Sequence, residues 1–424
     1  MRVYSNQLEE NEGKKVLVKG WVHDFRLMGK LNFIILRDYG GLAQVVVKEE
    51  KFKELLKNIH LEDVIEVEGV VKRSKSEKFN FEIEAEKINI INKSGPQLPL
   101  DPREITKTNL DTKLDWRFLY FRTQEGRAIF RIQTEIVKSF REYFLNKGFI
   151  EMQPPIIIAS ASEGGAELFE VPYFEKKAYL AQSPQLYKQM GAISFEKVFM
   201  VVPVFRAEKF DQPTHLNEIR QMDIEMAFAN DEDAIIELEN SFVYILKNVK
   251  ENCDKKLKIL NIELEIPSLP LKKVKYEEAI KLLKEYGESI EFGDDFSKTQ
   301  EKKLGEIIGY AFIIKDWPEE LKPFYAMPRE DNPKLVRAFD LIYKGLEISS
   351  GTQRIHLPEL LEKRIRDKGL NPKDFEYYIN AFKYGAPPHA GWSIGLERLT
   401  MKICGKENIQ EVTMFPRTRT RIYP

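Results

Sequence analysis

The chain has 424 residues, too many for one compact domain, and its length predicts two or three domains. The 66 basic and 67 acidic residues nearly cancel, which excludes a general charge-driven nucleic-acid binder and restricts any RNA contact to local patches. Cys253 and Cys404 have no second thiol or histidine nearby, so neither a disulfide framework nor a zinc site is indicated. Because the chain shows no apolar leader and no membrane-length apolar run, we expect a soluble, cytoplasmic protein with no membrane partner.

The first 95 residues are predicted to form a small β-barrel. Five short runs have strand-like patterns, at residues 15–24, 32–37, 43–48, 63–72 and 81–91. A short helix is predicted after the third run, and five strands with this insertion indicate an OB-fold. Such barrels bind single strands by stacking bases on aromatic rings beside basic groups, and Phe33, Arg26 and Gln44 offer a ring, a cation and an amide.

A proline-dense segment, residues 94–102, marks the next boundary, because proline removes backbone donors and stiffens the chain. We interpret residues 96–126 as a hinge and residues 127–424 as a larger domain containing both helices and strands. Apolar residues at helical spacing predict a long helix over residues 126–146, followed by a strand. Taken alone, this helix is as consistent with core packing in a monomer as with an interface.

Residues 198–228 read as two strands joined by a charged loop. The first strand ends at Arg206, and the second alternates, with Asp223 and Glu225 on its polar face. A sheet face lined by carboxylates, with an arginine where the strand meets its loop, is typical of a site for a charged ligand. An amphipathic surface hairpin would show the same alternation.

A second hairpin is predicted around residues 340–350. Lys344-Gly345 fits a two-residue turn that pairs Ile342 with Glu347. Asp340 then lies diagonal to Glu347, within about 7–8 Å on the same face. Two carboxylates at that separation can share a divalent ion, and oxygen ligands favour Mg²⁺. A solvated acidic hairpin is the alternative.

The stretch FRAE, a loop, then HLNE and QMDIEM resembles motif 2 of the class II aminoacyl-tRNA synthetases, specifically the aspartyl-tRNA synthetases of the archaeal and eukaryotic type. Motif 1 matches at about 127–156, motif 2 at about 198–228, and motif 3 at about 389–404, with YGAPPHAGWSIGLERL around it. The resemblance implies an α+β fold: an antiparallel-sheet catalytic domain preceded by an N-terminal OB-fold. It also implies a homodimer built through motif 1.

The resemblance further implies an aspartate pocket. Lys188 and Arg354 would face the side-chain carboxylate, and Asp223 would hold the ammonium. Asparaginyl enzymes usually lack this lysine. The resemblance also places Ser183 and Gln185 near the ammonium, Glu163 on a loop that closes over the amino acid, and Ser350 among the aspartate-binding residues.

For ATP, the resemblance implies that Arg206 and Arg398 are catalytic and clamp the phosphates. The full implied ATP set is Arg206, Glu208, His215, Leu216, Glu347, Gly395, Leu396, Glu397 and Arg398, and the implied Mg²⁺ set is Asp340, Glu347 and Ser350. Thr214 and Ile219 differ from residues common in relatives, and Thr352 replaces the usual second glycine of SGGQR, which predicts a stiffer loop.

In the OB-fold the resemblance implies an anticodon site made of Arg26, Phe33, Gln44, His23 and Lys78. Some archaeal relatives carry tryptophan in place of His23, and that position is linked to acceptance of tRNA(Asn).

These motifs predict an aspartate–tRNA ligase. It would use Mg-ATP to make aspartyl-adenylate and transfer the aspartyl group to tRNA(Asp), with tRNA(Asn) left open. An asparaginyl enzyme is disfavoured by Lys188 and Asp223, and an ammonia ligase by the OB-fold. A catalytically silent RNA-binding paralogue is disfavoured because Arg206, Glu347 and Arg398 are all present.

Overall fold

The structure is a computed structural model, and it describes residues 2–29, 31–48, 50–95, 97–159 and 168–424. The chain divides into two compact units, Met1–Thr123 and Gln124–Pro424. Across the described ranges, no helix is long and apolar enough to cross a membrane.

The first unit contains a closed five-stranded barrel with strand order β1-β2-β3-β5-β4, which confirms the predicted OB-fold. Alternate residues of every strand point inward and form one apolar core. A short helix, α1 (Lys53–Lys57), lies between the third and fourth strands. The strands are β1 (Lys15–Met28), β2 (Leu31–Arg37), β3 (Leu42–Val47), β4 (Val64–Arg73) and β5 (Phe81–Asn92).

Strand β1 runs four residues past its predicted end at Asp24. The register with β2 shifts between Val22 and Asp24, so a bulge interrupts the in-out alternation on which the prediction depended. Beyond the bulge the strand continues, and Arg26 pairs directly with Phe33.

The chain after the barrel forms two short helices, α2 (Leu110–Asp115) and α3 (Arg117–Tyr120). Arg122 then donates a 2.8 Å hydrogen bond to Glu62, which also accepts two bonds from the buried Arg37. The segment interpreted as a hinge therefore contains two short helices, and it is hydrogen-bonded to the barrel near its end.

The second unit is built on an eight-stranded sheet in the order β12-β13-β14-β15-β16-β11-β10-β6. It is antiparallel except where β10 meets β6 and β12 meets β13. A separate small sheet has the order β7-β9-β8. The strands are β6 (Ile150–Glu151), β7 (Ile157–Ile158), β8 (Glu170–Tyr173), β9 (Lys176–Leu180), β10 (Lys197–Phe205), β11 (Glu218–Ala227), β12 (Lys272–Lys275), β13 (Ala311–Pro318), β14 (Leu335–Tyr343), β15 (Leu346–Arg354) and β16 (His389–Gly395).

Two long helices cover one face of this sheet. Phe140 on the first packs edge-on against Phe199 of β10, and Trp392 of β16 donates to a carbonyl of the second, at Ala234. The helix predicted at 126–146 is present. The helices are α4 (Gln124–Asn146), α5 (Gln185–Phe195), α6 (Asp231–Asn252), α7 (Asp254–Ile259), α8 (Tyr276–Glu285), α9 (Lys298–Ile308), α10 (Pro358–Asp367), α11 (Glu376–Phe382) and α12 (Leu396–Ile403).

Candidate active site

Arg206 stands where the chain leaves β10 for the loop to β11. Its backbone N–H donates to the Asn217 carbonyl at 3.0 Å, and the Asn217 amide returns a 2.8 Å bond to the Arg206 carbonyl. These two bonds close the base of the loop, so the position of Arg206 relative to the sheet is fixed. The predicted hairpin is thus confirmed, with Phe205 opposite Glu218 at its end.

Two cavities adjoin at Arg206. The first, here called the Lys188 cavity, is about 120 Å³; the second, the Arg398 cavity, is about 110 Å³. Both are lined by Arg206, Gln221, Ser350 and Ser393. A ligand with a group in each cavity would therefore have its junction beside the Arg206 guanidinium.

The Lys188 cavity rests on a buried set of four charges. Lys188 Nζ lies 2.8 Å from Asp223 Oδ1 and 3.6 Å from Glu225 Oε2. Arg354 binds Glu225 through two bonds of 2.9 and 3.1 Å. The predicted polar face of β11 is thus buried, since Asp223 and Glu225 are 1% and 0% exposed. Lys188 and Arg354 lie beside these carboxylates and offset the cost of burying their charge.

Burial raises the pKa of Asp223 even though Lys188 opposes it, whereas at Glu225 the nearby charges of Arg354 and Lys188 outweigh burial and lower the pKa. Glu225 is accommodated by Gly391 of the neighbouring strand, because a Cβ there would overlap both the Glu225 carboxylate and the Ile224 carbonyl. Glu225 is therefore the structural anion of the set. Asp223 is the one that lines the cavity.

In the Arg398 cavity, the guanidinium of Arg398 is held in place by the neutral ring of His215. Arg398 Nη2 lies 3.2 Å from His215 Nε2, and Thr214 Oγ1 lies 3.0 Å from His215 Nδ1. Burial, assisted by Arg398, lowers the pKa of His215 to about 4, so the ring is neutral at pH 7. Since arginine only donates, Nε2 accepts and Nδ1 carries the proton. His215 therefore orients Arg398 and adds no positive charge of its own.

The predicted turn at Lys344-Gly345 is confirmed, with both residues in the left-handed region at φ +48° and +68°. Ile342 pairs with Glu347 as expected, and Asp340 pairs with Ser350 across an irregularity in register. Asp340 Oδ2 is bound by Lys322 at 2.6 Å, while the buried Oδ1 accepts no hydrogen bond from the residues that the structure describes. Burial raises the pKa of Asp340 to about 6.

The positive charges near the hairpin of β14 and β15 favour the ionised form of the Glu347 carboxyl. Arg398 and Lys322 outweigh the effect of burial and lower the pKa of the Glu347 carboxyl. Its backbone N–H donates to Glu301 of α9 at 3.0 Å, which holds the end of the turn. In the described part of the chain, no three His, Cys, Asp or Glu side chains are grouped for a metal. Any ion here would need further ligands, such as phosphate oxygens.

The structure adds a detail at each of two positions, Gly395 in motif 3 and Thr352 in β15. Gly395 is not required by close packing within the chain, because a Cβ there would make only ordinary contact with Arg398 at 3.7 Å. Thr352 lies within β15 rather than in a loop, and its hydroxyl donates to the Arg337 carbonyl at 2.9 Å. Leu396 has a buried side chain in the first turn of α12.

Glu397 is buried, and both of its oxygens accept from the Arg220 backbone N–H, at 3.1 and 3.0 Å. Burial raises its pKa from the usual 4.5 to about 7. Above pH 7 the folded protein must therefore hold a buried charge that the unfolded chain carries freely. We expect Glu397→Gln to gain stability relative to the parent between pH 4.5 and pH 7, by about 3 kcal/mol at most, as measured by urea denaturation at pH 5 and pH 8. An unchanged difference at the two pH values would contradict the burial argument.

The barrel of the first unit has its own cavity, of about 770 Å³. All five residues predicted there line it: Arg26, Phe33, Gln44, His23 and Lys78. Among the described lining residues seven are basic and two acidic, although Lys48 and Lys72 are paired with Glu84. The barrel cavity thus has a local basic patch of the kind that RNA contact would need in a chain whose net charge is close to zero.

For two side chains that line this barrel cavity, Gln44 and His23, the neighbouring residues determine which atoms donate and which accept hydrogen bonds. The Gln44 amide nitrogen donates to Glu82 at 2.8 Å, which leaves its Oε1 as an acceptor. Arg37 Nη1 lies 3.3 Å from His23 Nδ1, and burial lowers the pKa of His23, so the neutral ring carries its proton on Nε2.

Most predicted residues thus surround one of three cavities, and Glu163 lies outside the described residues. Alternation placed Gln221 and Glu225 on the same strand face as Asp223, but the sequence assigned neither of them an individual role. Sequence reasoning missed Lys322 and Tyr325, which also line the Lys188 cavity. They come from residues 230–335, a segment in which the sequence contains no motif that predicts a functional site.

Comparison with known proteins agrees with this geometry. Residues 109–419 match the family model for class II tRNA synthetases (D, K and N), and residues 16–91 match that of the OB-fold nucleic acid binding domain. The chain is 46% identical over 420 residues to the aspartate–tRNA(Asp/Asn) ligase of Methanocaldococcus jannaschii, covering 98% of this chain and 96% of that one. It is 45% identical to the aspartate–tRNA(Asp) ligase of Pyrococcus furiosus, with 99% of each chain covered.

Solved structures give the same result. An asparaginyl-tRNA synthetase from Pyrococcus horikoshii, complexed with asparaginyl-adenylate, superposes with a TM-score of 0.95 at 32% identity over the full length of both chains. An aspartyl-tRNA synthetase from Entamoeba histolytica gives 0.88 at 33% identity, covering 100% of this chain and 93% of that one. With these matches and a motif 2 hairpin that places Arg206 between two polar cavities, the chain belongs to the class II tRNA synthetases of the D, K and N group.

Proposed function

We propose that this protein activates L-aspartate with ATP and transfers the aspartyl group to tRNA(Asp). The observation that carries the proposal is the shared position of Arg206 between the Lys188 cavity and the Arg398 cavity. The first is built for a small amino acid with an anionic side chain, and the second offers cations to a triphosphate. The full-length relatives named as aspartate–tRNA ligases support this choice.

In the first step an α-carboxylate oxygen of aspartate attacks the α-phosphorus of ATP, and the bond to pyrophosphate breaks. Asp223 holds the ammonium, while Lys188 and Arg354 face the side-chain carboxylate. Arg206 neutralises the charge at the α-phosphate, and Arg398, oriented by His215, receives the outer phosphates. In the second step a hydroxyl of the terminal adenosine of tRNA attacks the aspartyl carbonyl carbon, and AMP leaves. The protein acts by positioning and charge.

A divalent ion, proposed to be Mg²⁺, fits the hairpin of β14 and β15. Glu347, Ser350 and the Asp340 Oδ1, which accepts no hydrogen bond from the described residues, would hold it together with ATP oxygens. When bound, such an ion neutralises phosphate charge. Lys322 already balances the other oxygen of Asp340, so Glu347 is the stronger candidate ligand.

We expect Glu347→Gln to raise the Mg²⁺ concentration for half-maximal ATP–pyrophosphate exchange by about tenfold or more, because a charged oxygen ligand is lost. Titration of Mg²⁺ at saturating ATP measures the change. Glu301→Gln, which keeps an acceptor for the Glu347 backbone, is the matched control and should titrate like the parent. Equal Mg²⁺ requirements for Glu347→Gln and the parent would remove Glu347 from the ion site.

The barrel cavity is proposed to bind the anticodon, with Phe33 stacking on a base and the surrounding basic residues facing the backbone. Phe33→Ala should raise KM for tRNA by about 5- to 150-fold, the worth of one stacked base, and leave ATP–pyrophosphate exchange unchanged. Tyr39→Ala removes an exposed ring outside the cavity and serves as the control. A parent-like KM for Phe33→Ala would exclude stacking there.

We also propose that the protein is a cytoplasmic homodimer. Exposed apolar side chains occur along motif 1, at Leu145, Ile150, Ile156 and Ile157. They continue from α4 to β7 and fit a self-complementary contact with a second copy. Sedimentation equilibrium of the parent and of Ile157→Lys tests this, and a parent that sediments as a monomer at micromolar concentration would contradict it.

The decisive experiment is aminoacylation with labelled aspartate and asparagine, each against transcripts of the two tRNAs. Charging of aspartate on tRNA(Asp) is the expected result, and the arm with tRNA(Asn) determines whether the enzyme is strict. The second candidate function is asparaginylation, favoured by the fit to the Pyrococcus horikoshii structure. Activation of asparagine in place of aspartate would establish it and overturn the role given to Lys188.

A further inference from the structure

A chain of buried polar side chains runs from the interior to the floor of the Lys188 cavity. At its centre is Gln189 of α5. Its amide nitrogen lies 2.9 Å from His389 Nε2, and its Oε1 lies 2.8 Å from both the Gln185 amide nitrogen and the Tyr378 hydroxyl. Gln189, Tyr378 and His389 are fully buried, and Gln185 is 3% exposed.

The direction of every hydrogen bond in this chain follows from one backbone carbonyl. His389 Nδ1 lies 2.9 Å from the Pro387 oxygen, which can only accept, so Nδ1 carries a proton. Burial lowers the pKa of His389, so the ring is neutral and its Nε2 can only accept. Gln189 must then present its NH₂ group to His389.

With the nitrogen of Gln189 assigned, its oxygen must point toward Gln185 and Tyr378 and accept from both. The orientation of an amide is ordinarily ambiguous, but here the carbonyl of Pro387 decides it. The Gln185 NH₂ group is thereby directed into the protein. The Gln185 Oε1 is left without a hydrogen bond from any described residue, and Gln185 lines the Lys188 cavity.

We propose that His389, Gln189 and Tyr378 are positioning residues that fix Gln185 as a hydrogen-bond acceptor for the substrate's α-ammonium. The inference rests on the proposed function, which places aspartate in this cavity, and on the family resemblance, which implies that Gln185 lies near the ammonium. His389, Gln189 and Tyr378 are here called the relay. Without the relay, the Gln185 amide could rotate and present its NH₂ group to the ammonium, and repulsion would replace attraction. The relay thus selects for substrates with an α-ammonium over dicarboxylates that lack one.

The test compares aspartate with succinate, which has both carboxylates and no ammonium. Succinate is used as a competitive inhibitor of aspartate-dependent ATP–pyrophosphate exchange. Gln189→Met removes the relay at similar volume and should raise KM for aspartate about tenfold or more, the worth of a bond to a charged group. The inhibition constant of succinate and KM for ATP should stay within about twofold, since neither ligand carries an ammonium.

Tyr378→Phe removes one donor to Gln189 and should raise KM for aspartate by a smaller factor, about two- to fivefold. Tyr377→Phe, on the same helix but outside the relay, is the matched control and should behave as the parent. A purely structural role for Gln189 would instead weaken aspartate and succinate alike, and that result would overturn the proposal.

A further variant distinguishes a failure of the relay from a failure of the aspartate site itself. Gln185→Met should also raise KM for aspartate and spare succinate. If it does and Gln189→Met does not, the relay is wrong while the aspartate site stands. If Gln185→Met leaves KM for aspartate unchanged, the assignment of the cavity is wrong, and the relay proposal falls with it.

Discussion

Replacing Arg206 by alanine should slow ATP–pyrophosphate exchange by about 100- to 1000-fold, corresponding to about 3–4 kcal/mol of lost transition-state stabilisation. The guanidinium lies where the two cavities meet, so it is placed to neutralise charge that develops at the α-phosphate. The loop base is held by backbone and side-chain bonds of Asn217, which the substitution leaves intact. The loss should therefore be in kcat, with little change in unfolding free energy.

Arg366→Ala provides a control for this prediction, because it removes an exposed arginine that pairs with Glu362 on the surface of α10. Its exchange rate should equal that of the parent. Near-normal adenylate formation by Arg206→Ala would mean that the proposed charge neutralisation is wrong.

Replacing Lys188 by methionine should have two large effects. Asp223 and Glu225 would be left fully buried with Arg354 as their remaining close cation, which should lower the free energy of unfolding by about 3–5 kcal/mol. Aspartate activation should also fall by about 100-fold or more, since the cation proposed to face the substrate carboxylate is gone. Denaturant unfolding and aspartate-dependent exchange measure the two effects.

A double variant separates folding from chemistry at this site. Adding Asp223→Asn to Lys188→Met removes one buried anion together with its cation, and should recover much of the stability because the charges again balance. Aspartate activation should stay low. Recovery of activity along with stability would contradict the substrate-binding roles proposed for both Lys188 and Asp223, because the double variant lacks both charges.

Elements set by local pattern could be predicted closely. Examples are the amphipathic helix α4, the motif 2 hairpin and the turn at Lys344-Gly345. They depend on periodicity and turn chemistry, which involve only residues that are close together in the sequence. Strand β1 was predicted too short, because the bulge after Val22 breaks the alternation while pairing with β2 continues. Family resemblance located many of the cavity-lining residues, including Lys188 and Arg398.

The sequence by itself determined the class of fold, the order of the motifs and several of the charged residues that line the cavities, such as Lys188 and Arg398. Only the tertiary structure decided how those charges are balanced: Glu225 is the anion paired with Arg354, and Lys322 is the cation beside Asp340. It also decided the direction of the Gln185 amide, through a carbonyl at Pro387 some 200 residues away. The physical reason is that burial and hydrogen-bond direction depend on neighbours from distant segments, which local periodicity does not encode.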